Sequence, residues 1–399
     1  WAGASTNLQN GLGPDRAIGT MESLEIDGVE RIYVGGTFLQ IGAVVNSGVA
    51  AWDGTGWTGF LGPEVTPVRE ISALAAFAAP AEPKRLVAAG RVLGGGSSGL
   101  ATWDGAEWIP LGDAGDFALI GGVVESMLTH DFGDGEELFV AGSFAGIDGL
   151  PMGGIASWDG TSFSALGTSD VGVDGTVTAL AIFDDGAGPA LFVGGDFQEA
   201  GGVASPYLAR WDGSSWSAPS PDAPDGPVHA LEVYDDGGGP ALFVGGNFDQ
   251  VGALLVRHIA KWDGQQFSSL PGPIEVGVEA GFLPTVFSLE AFDPGDGERL
   301  WVSGRFERAG GSSIKHLATW DGSSWGAPLG ATASGISPGP PEFLATFELN
   351  GTRSLFAAGA FSRIYGLVSY GVGEYRLVVD IFEDGFESGD TGAWSSVFP

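Results

Sequence analysis

Residues 210–219 read RWDGSSWSAP, and the aromatic–Asp-Gly–aromatic motif inside this stretch recurs along the chain. Related copies read WDGTGW, WDGAEW, WDGTSF, WDGQQF and WDGSSW. Asp-Gly is a strong hairpin signal, because the glycine can adopt a positive φ. A spacing of five residues places the two aromatic side chains opposite each other across such a hairpin, where a pair adds roughly 0.2–1 kcal/mol. We therefore interpret the first aromatic residue of each copy as a structural repeat residue: Trp52, Trp103, Trp158, Trp211, Trp262 and Trp320.

A second motif lies upstream of each copy. It reads YVGGTF (33–38), VAAGRV (87–92), FVAGSF (139–144), FVGGDF (192–197), FVGGNF (243–248), WVSGRF (301–306) and FAAGAF (356–361), at intervals of 51 to 58 residues. An alternating apolar run ending in a turn precedes it, as in VHALEVYDDGGGPALFVGG (228–246). Alternation of period two broken by Asp-Gly or Gly-Gly predicts a β-hairpin. Each repeat is therefore predicted to form four short antiparallel strands, A to D.

Seven copies of such a sheet predict an all-β fold, a seven-bladed β-propeller over residues 1–379 with a C-terminal tail at 380–399. The seventh copy, YGVGEYRL (370–377), has Tyr375 in place of the tryptophan, and no WDG turn follows it. Its fourth strand is therefore expected to be missing or unusual. The N-terminal stretch STNLQNGLG (5–13) is similar to a fourth strand, and we expect it to complete blade seven and close the ring.

These motifs resemble those of kelch-like propellers, and more closely the tandem FVGGxF…WDGxxW repeats of secreted bacterial propeller proteins. The resemblance implies a fold rather than an activity, because propellers host many functions. DGFESGD (384–390), followed by Trp394, resembles the C-terminal tails of exported bacterial proteins, which implies sorting, anchoring or contact between subunits. Aromatic residues near the two chain ends are the assembly candidates: Trp1, Trp394 and Phe398.

The composition excludes several partners. Fifty acidic and 16 basic residues give a net charge of −34, so neither nucleic acid nor an anionic membrane is an expected partner. Metal cations, cationic polymers and basic proteins suit this charge better. With no cysteine, disulfides and thiolate chemistry are absent. No apolar run approaches the ~18 residues of a membrane helix. The start at Trp1, without Met, and the acidity indicate an exported bacterial chain whose signal peptide has been removed.

Calcium is the best-supported cofactor prediction. Two loops, DFGDGE (131–136) and DPGDGE (293–298), carry carboxylates on alternating residues beside glycines, which is an arrangement that hard cations favour. The alternative is that Asp and Gly simply form hairpin turns. The candidate ligands, including three in the tail, are Asp131, Asp134, Glu136, Asp293, Asp296, Glu298, Asp384, Glu387 and Asp390. Two histidines, His258 and His316, occupy the same repeat position, which explains them without a metal.

The topology predicts a disk with two unlike ends. In an up-and-down meander the A–B and C–D turns lie at one end of every blade, and 19 carboxylates map there: Asp27, Glu30, Asp53, Asp104, Asp131, Asp134, Glu136, Glu137, Asp159, Asp184, Asp185, Asp212, Asp235, Asp236, Asp263, Asp293, Asp296, Glu298 and Asp321. The B–C end holds basic residues among scattered acids: Arg257, Arg305, Arg308, Lys315 and Arg363.

The predicted function is a non-catalytic structural or adhesive scaffold, exported to the cell surface or beyond. A disk with unlike ends could stack head to tail into a fibre or surface layer, since a heterologous contact that does not close produces a filament. The alternative is a glycan-binding module or polysaccharide-processing enzyme. Its site would lie on the B–C and D–A loops, which include the long connections 270–286 and 329–343.

Overall fold

In the computed structural model every regular element is a β-strand, and no helix occurs in the part of the chain that is described. The described residues are 18–26, 28–41, 44–45, 48–60, 68–92, 98–111, 122–147, 149–167, 172–272, 274–275, 284–328, 336–337, 339–349, 351–359, 363–364, 367–368 and 372–375. Over these ranges no segment forms a helix long and apolar enough to cross a membrane.

Six four-stranded antiparallel sheets and a three-stranded one follow each other along the chain, and we number them sheets 1 to 7. Sheet 1 and its small hairpin comprise β1 (Ile18–Ile26), β2 (Val29–Gly36), β3 (Gln40–Ile41), β4 (Val44–Val45), β5 (Val49–Trp52) and β6 (Trp57–Gly59). Sheet 2 comprises β7 (Val68–Phe77), β8 (Arg85–Val92), β9 (Ser98–Trp103) and β10 (Trp108–Leu111). Sheet 3 and its hairpin comprise β11 (Val124–Asp131), β12 (Glu136–Gly142), β13 (Gly146–Ile147), β14 (Leu150–Pro151), β15 (Ile155–Trp158) and β16 (Phe163–Ser164).

The next two sheets have the same layout. Sheet 4 and its hairpin comprise β17 (Thr176–Asp184), β18 (Pro189–Asp196), β19 (Glu199–Ala200), β20 (Val203–Ala204), β21 (Leu208–Trp211) and β22 (Trp216–Ser217). Sheet 5 and its hairpin comprise β23 (Val228–Asp235), β24 (Pro240–Gly246), β25 (Gln250–Val251), β26 (Leu254–Leu255), β27 (Ile259–Trp262) and β28 (Phe267–Ser269).

The last two sheets are each preceded by a short connecting strand. Sheet 6 follows β29 (Ile274–Glu275) and comprises β30 (Thr285–Phe292), β31 (Arg299–Arg305), the hairpin β32 (Arg308–Ala309) and β33 (Ser312–Ser313), β34 (Leu317–Trp320) and β35 (Trp325–Gly326). Sheet 7 follows β36 (Ile336–Ser337) and comprises β37 (Phe343–Leu349), β38 (Thr352–Ala358), the hairpin β39 (Arg363–Ile364) and β40 (Leu367–Val368), and β41 (Val372–Tyr375).

Within each sheet the strands pair in the spatial order A–B–C–D, as the repeat predicts. Strand B is buried on both faces, so it reads as an apolar run rather than an alternation; Leu242 to Gly246 of β24 are all buried. Along strand A, buried and less buried residues tend to alternate, because one face of the strand packs against a neighbouring sheet. The predicted all-β class and the four-stranded antiparallel sheets are confirmed.

Seven hydrophobic clusters lie between the sheets, and each combines residues from two sheets that follow one another. One of the seven joins the first sheet to the last, with Ile18 and Val34 packed in the same cluster as Phe347 and Phe356. The cores of this molecule therefore lie between sheets, and no single sheet has a core of its own. The segments predicted to complete blade seven (5–13) and to form the tail (380–399) lie outside the described residues.

The B–C connections were predicted to be loops, but most of them contain a two-stranded hairpin. The connection that enters a sheet pairs with the hairpin of that same sheet, through Ile274–Ala309 and Ile336–Ile364 in sheets 6 and 7. Isolated bridges do the same in sheets 4 and 5, through Val173–Ala200 and Pro224–Val251. The B–C hairpins and the D–A connections therefore lie at the same end of the molecule, as predicted from the meander.

Candidate functional site

Each WDG tryptophan lies directly opposite the second aromatic residue of its motif across the C–D ladder: Trp52–Trp57, Trp103–Trp108, Trp158–Phe163, Trp211–Trp216, Trp262–Phe267 and Trp320–Trp325. The ring centroids of these pairs are 4.5 to 5.5 Å apart. Four of the six tryptophans are buried between sheets, whereas Trp103 and Trp158 are only partly buried.

The aspartate of each WDG motif caps its own turn. In sheet 6, Asp321 Oδ1 accepts hydrogen bonds from the N–H groups of Ser323 (2.9 Å) and Ser324 (2.7 Å). The other five aspartates accept the same two backbone hydrogen bonds. These donors stabilise the carboxylate, so the pKa of Asp321 lies well below its ordinary value.

The A–B turns use their first aspartate in a related way. In sheets 3, 4, 5 and 6, Asp131, Asp184, Asp235 and Asp293 each accept hydrogen bonds through Oδ1 from the N–H groups two and four residues later. The donors Gly133 and Gly135 lower the pKa of Asp131. In sheets 4 and 5 the second aspartate forms an ion pair with strand C, through Arg210–Asp185 (2.8 Å) and Lys261–Asp236 (2.6 Å).

The two sets of turns lie at one end of the molecule and touch between neighbouring sheets. Gly264, in the C–D turn of sheet 5, has a φ of +93°, and a Cβ there would stand 2.6 Å from the carbonyl oxygen of Asp185 in the A–B turn of sheet 4. Only glycine suits this close approach in the left-handed region. The described carboxylates predicted to share one face therefore lie at the same end of the molecule, and many of them serve as turn caps; Asp27 lies outside the described residues.

No group of three His, Asp or Glu side chains in the described ranges is placed to hold a metal ion. In the two loops predicted to bind calcium, Asp131 and Asp293 cap their turns and Asp296 pairs with Arg299 at 2.6 Å. Glu136 accepts a hydrogen bond from Ala78 N and pairs with Lys84 at 3.3 Å. Calcium binding remains a prediction. The tail candidates Asp384, Glu387 and Asp390 lie outside the described residues, as do Trp1, Trp394 and Phe398.

The opposite end of the molecule carries exposed apolar side chains on the tips of the B–C hairpins. Leu150, Val203 and Leu255 are 50%, 36% and 53% exposed. Leu150 and Val203 occupy the same repeat position, and Leu255 is one residue further along. The two histidines also lie at this end. His258 Nε2 is 3.6 Å from Asp249 Oδ1, and His316 Nδ1 is 3.2 Å from the Gly304 carbonyl oxygen.

A channel runs between the A strands. A cavity of about 380 Å³ is lined by residues from the first strand, or the residue just before it, of each of the seven sheets. The lining includes five carboxylic acids and a histidine: Glu22, Glu125, Glu232, Glu290, Glu342 and His229. A second cavity of about 450 Å³ shares Glu22 with the first, and it is lined by strand A residues of sheets 1, 2 and 3 together with Glu30 and Lys84.

Three of the channel glutamates occupy one repeat position and make the same contact. Glu290 Oε1 accepts a hydrogen bond from Thr346 N of the next sheet at 2.9 Å, and Glu232 Oε1 accepts one from Ala291 N at 3.3 Å. Glu22 accepts from Ala76 N of sheet 2. Strand A is an edge strand of its sheet, so its free N–H groups need partners. These glutamates supply them and thereby join neighbouring sheets.

Hydroxyl groups add to these contacts two residues earlier in the strand. Thr20 Oγ1 accepts a hydrogen bond from Leu74 N at 3.1 Å, and Ser288 Oγ accepts one from Leu344 N at 3.0 Å. Together the glutamate and the hydroxyl satisfy two successive inward N–H groups of the next sheet. This set of glutamates and hydroxyls was not predicted from the sequence. A Glu following an apolar residue at the same strand A position, as in Met21-Glu22, Leu231-Glu232 and Leu289-Glu290, was the available signal.

Burial changes the protonation of the channel acids. Desolvation raises the pKa of Glu22 and of Glu290 to about 7, and it raises the pKa of Glu232 well above its ordinary range, with the neighbouring Glu290 charge adding to the effect. The pKa of Glu125 is also raised by burial, and burial lowers that of His229. The channel therefore has fewer charges at neutral pH than its carboxyl groups suggest.

The sequence matches no protein-family model. No curated protein matches it either. Among solved structures, the extracellular domain of a protein described as a one-component system from B. thetaiotaomicron is similar with a TM-score of 0.53 and 12% identity, covering 92% of this chain and 39% of that one. A GH74 xyloglucanase from Xanthomonas campestris is similar with a TM-score of 0.55 and 16% identity, covering 92% and 53%.

This chain therefore spans roughly two-fifths to one half of the length of these proteins. At such low identity the similarity shows a shared all-β, propeller-like fold and nothing about activity.

Proposed function

We propose that this chain is an extracellular, non-catalytic seven-bladed β-propeller that serves as a structural scaffold and assembles head to tail. The closed ring is supported by the seven inter-sheet clusters, one of which joins sheet 7 to sheet 1, and by a channel lined from all seven sheets. An extracellular location is supported by the extracellular domain among the similar structures and by the acidic composition.

The observation that carries the proposal is the row of exposed apolar side chains at the B–C end. Leu150, Val203 and Leu255 stand on successive sheets, each at the tip of a hairpin. Apolar side chains exposed at one end of a soluble protein, at equivalent places on three successive sheets, favour contact with a partner. In sheet 6 the corresponding position is polar and carries Ser312-Ser313.

The acidic turn end of a second copy is the proposed occupant of this surface. Arg257, Arg308 and Lys315 lie at the B–C end among carboxylates such as Asp225 and Asp249, and the A–B and C–D turns at the other end carry a larger cluster of carboxylates. Joining unlike ends is a heterologous contact, which generates filaments when it does not close. The net charge of −34 opposes association at low salt, and screening within about 8–10 Å at 0.1–0.15 M salt reduces that repulsion.

The test compares assembly of the wild-type chain with that of Leu150→Asp/Leu255→Asp. The control is Ile109→Asp, since Ile109 is 38% exposed on strand D of sheet 2 and is not part of a B–C hairpin. Light scattering and negative-stain electron microscopy at 0.15 M salt should show head-to-tail oligomers for wild type and control, and monomers for the double variant. Monodisperse wild-type particles at all concentrations would rule out the proposed assembly.

The alternative function, a glycan-binding module or polysaccharide-processing enzyme with its site on the B–C and D–A loops, has weaker support. A xyloglucanase is among the similar structures, but at 16% identity this bears on the fold. Much of the two long D–A connections lies outside the described residues. A glycan array, together with turnover assays on common polysaccharides, tests this alternative; binding or turnover abolished by changes in those loops would favour it over the scaffold.

A further inference from the structure

Sheet 2 departs from the repeat at one buried position of strand B. In the other six sheets this position holds an aromatic residue that fills the interface with the next sheet: Tyr33, Phe139, Phe192, Phe243, Trp301 and Phe356. In sheet 2 it holds Val87. Replacing a buried aromatic ring by a smaller side chain leaves a space unless the neighbours collapse into it.

A pocket of about 170 Å³ occupies this space between sheets 2 and 3. Phe77, Val87 and Leu111 of sheet 2 form its apolar lining, and Trp158 of sheet 3 forms a wall. The corresponding tryptophan is buried in the interfaces between sheets 3 and 4, 4 and 5, and 5 and 6, and in the interface between sheets 1 and 2 Trp103 is partly buried but packs against Phe60 with a ring-centroid distance of 4.9 Å. Trp158 is only partly buried, and it lines an open pocket.

The turn next to the pocket also differs from its equivalents. In the interface between sheets 3 and 4, the ring of Phe132 packs against the C–D turn glycine Gly213. In the interface between sheets 2 and 3, Ala79 holds this place beside Gly160, and both residues line the pocket. The longer A–B turn of sheet 2 thus leaves the pocket open, whereas the Phe132 ring fills the equivalent space in the interface between sheets 3 and 4.

The rim of the pocket is polar. Arg85 Nη2 and Glu82 Oε2 form an ion pair of 3.1 Å at the rim, with about a third and a half of their side chains exposed. Thr102 lines the pocket at the repeat position that holds Arg210 and Lys261 in sheets 4 and 5, where those cations pair with turn aspartates. The pocket thus combines an indole wall, an apolar floor and a planar donor–acceptor pair at its mouth.

We propose that this pocket is a binding site for a single ring of a neutral sugar. The apolar face of a sugar ring can lie against the indole of Trp158, while adjacent hydroxyls donate to Glu82 and accept from Arg85. At roughly 30 Å³ per water, the pocket has room for about five or six waters, a volume suited to one ring rather than an oligosaccharide. The pocket lies at the turn end of sheets 2 and 3, which head-to-tail assembly would also contact, so sugar binding is measured at concentrations at which the chain is monomeric.

Val87→Phe is the decisive variant, because it restores the repeat residue and should fill the pocket while preserving the fold. Saturation-transfer NMR with the methyl glycosides of glucose, galactose, mannose and xylose should show transfer to at least one sugar with wild type, at a Kd of about 1 mM. Val87→Phe should abolish the transfer and keep a melting temperature at or above that of wild type. Arg85→Ala and Glu82→Gln should weaken binding at least tenfold.

The control is Phe267→Leu, which changes an aromatic residue of a C–D pair in sheet 5, away from this pocket. It should bind as wild type does. Absence of transfer with all four sugars would overturn the proposal, and so would transfer that persists in Val87→Phe. Binding of a proline-rich peptide to the pocket without any sugar binding would overturn it as well.

Discussion

The six WDG aspartates at the turn end and the buried glutamates in the channel have opposite pKa shifts. Asp321 and its equivalents receive two backbone hydrogen bonds each and stand in water, so their pKa falls. Glu22 and Glu290 also accept hydrogen bonds from backbone N–H groups, yet their pKa rises to about 7. The channel still leaves these glutamates partly accessible, but the surrounding sheets remove most of their hydration.

The difference shows that hydrogen bonds alone do not set the charge of a carboxyl group here. At the turn end, donors add to water and favour the carboxylate; in the channel, donors only partly replace the water that was lost. The turn aspartates therefore favour folding when ionised, and the channel glutamates favour it when protonated. Changing the charge and the hydrogen bond separately tests this contrast.

Removing the channel charges should have the largest effect on the free energy of unfolding and on its pH dependence. The folded-state pKa of Glu22 and Glu290 is about 7 against an ordinary 4.5, so the folded chain holds protons that the unfolded chain has lost. Their contribution is complete below about pH 4.5 and is lost as the pH rises through about 7. Urea unfolding of wild type should lose about 3 kcal/mol between pH 5 and pH 8, after discounting for channel water.

The triple variant Glu22→Gln/Glu232→Gln/Glu290→Gln should lose much less stability over this range, because glutamine keeps the acceptor oxygen and carries no charge. The WDG aspartates do not interfere, because their lowered pKa values keep them ionised over this pH range. Equal slopes for wild type and the triple variant between pH 5 and pH 8 would show that these carboxyl groups titrate normally.

Removing the carboxylate acceptor of the hydrogen bond between sheets 6 and 7 should have the next largest effect on the free energy of unfolding. Glu290→Ala leaves Thr346 N without its carboxylate partner in the channel wall, and an unsatisfied buried N–H costs about 1–3 kcal/mol. Unfolding at pH 5 should show that loss for Glu290→Ala and a much smaller one for Glu290→Gln. If both variants are equally destabilised at pH 5, packing rather than the hydrogen bond between sheets 6 and 7 is responsible.

At the turn end, replacing one aspartate should lower the free energy of unfolding by a smaller amount. The pH dependence of this loss should lie in a different, more acidic range. Asp321→Ala removes the acceptor of two backbone N–H groups. By analogy with helix N-caps, this should lower the free energy of unfolding by about 1 kcal/mol at pH 7. Because the folded pKa is depressed, this contribution is present above the ordinary value of 3.8 and is lost as the pH falls through the folded pKa. Chemical unfolding at pH 7 and pH 2.5 should show a smaller difference between Asp321→Ala and wild type at the lower pH.

Much of the fold was predictable because it repeats. The spacing of Trp211 and Trp216 determines the register of a hairpin, and the alternation in 228–235 indicates a strand with one face against a neighbour. The B–C hairpins were not predicted, because strands of two residues, such as Glu199–Ala200, leave no periodic signal.

The candidate sites were harder to predict, because they depend on contacts between sheets. Glu290 reads as an ordinary polar residue in an alternating strand until the next sheet supplies Thr346 N. Val87 looks like a conservative change from phenylalanine, and only the position of Trp158 in the neighbouring sheet turns it into a pocket. Sequence repeats identify what the copies share, whereas these sites arise where one copy differs from its neighbours.

Calcium should produce the smallest change in stability. It tests whether the turn aspartates can bind a cation as well as cap their own turns. Asp131 Oδ1 is already engaged by two N–H groups, so an ion in this loop has Oδ2 of Asp131 and the carboxylate of Asp134 as its ligands. Such an exposed site binds weakly, and stabilisation by mass action is about 0.4 kcal/mol when calcium equals the dissociation constant. Millimolar calcium should raise the melting temperature by about 1 °C relative to chelator, and magnesium should do less, because it holds its water more tightly. Asp131→Asn/Asp134→Asn should remove part of the increment and remain folded in chelator. Identical melting in calcium, magnesium and chelator would show that these loops are hairpin turns only.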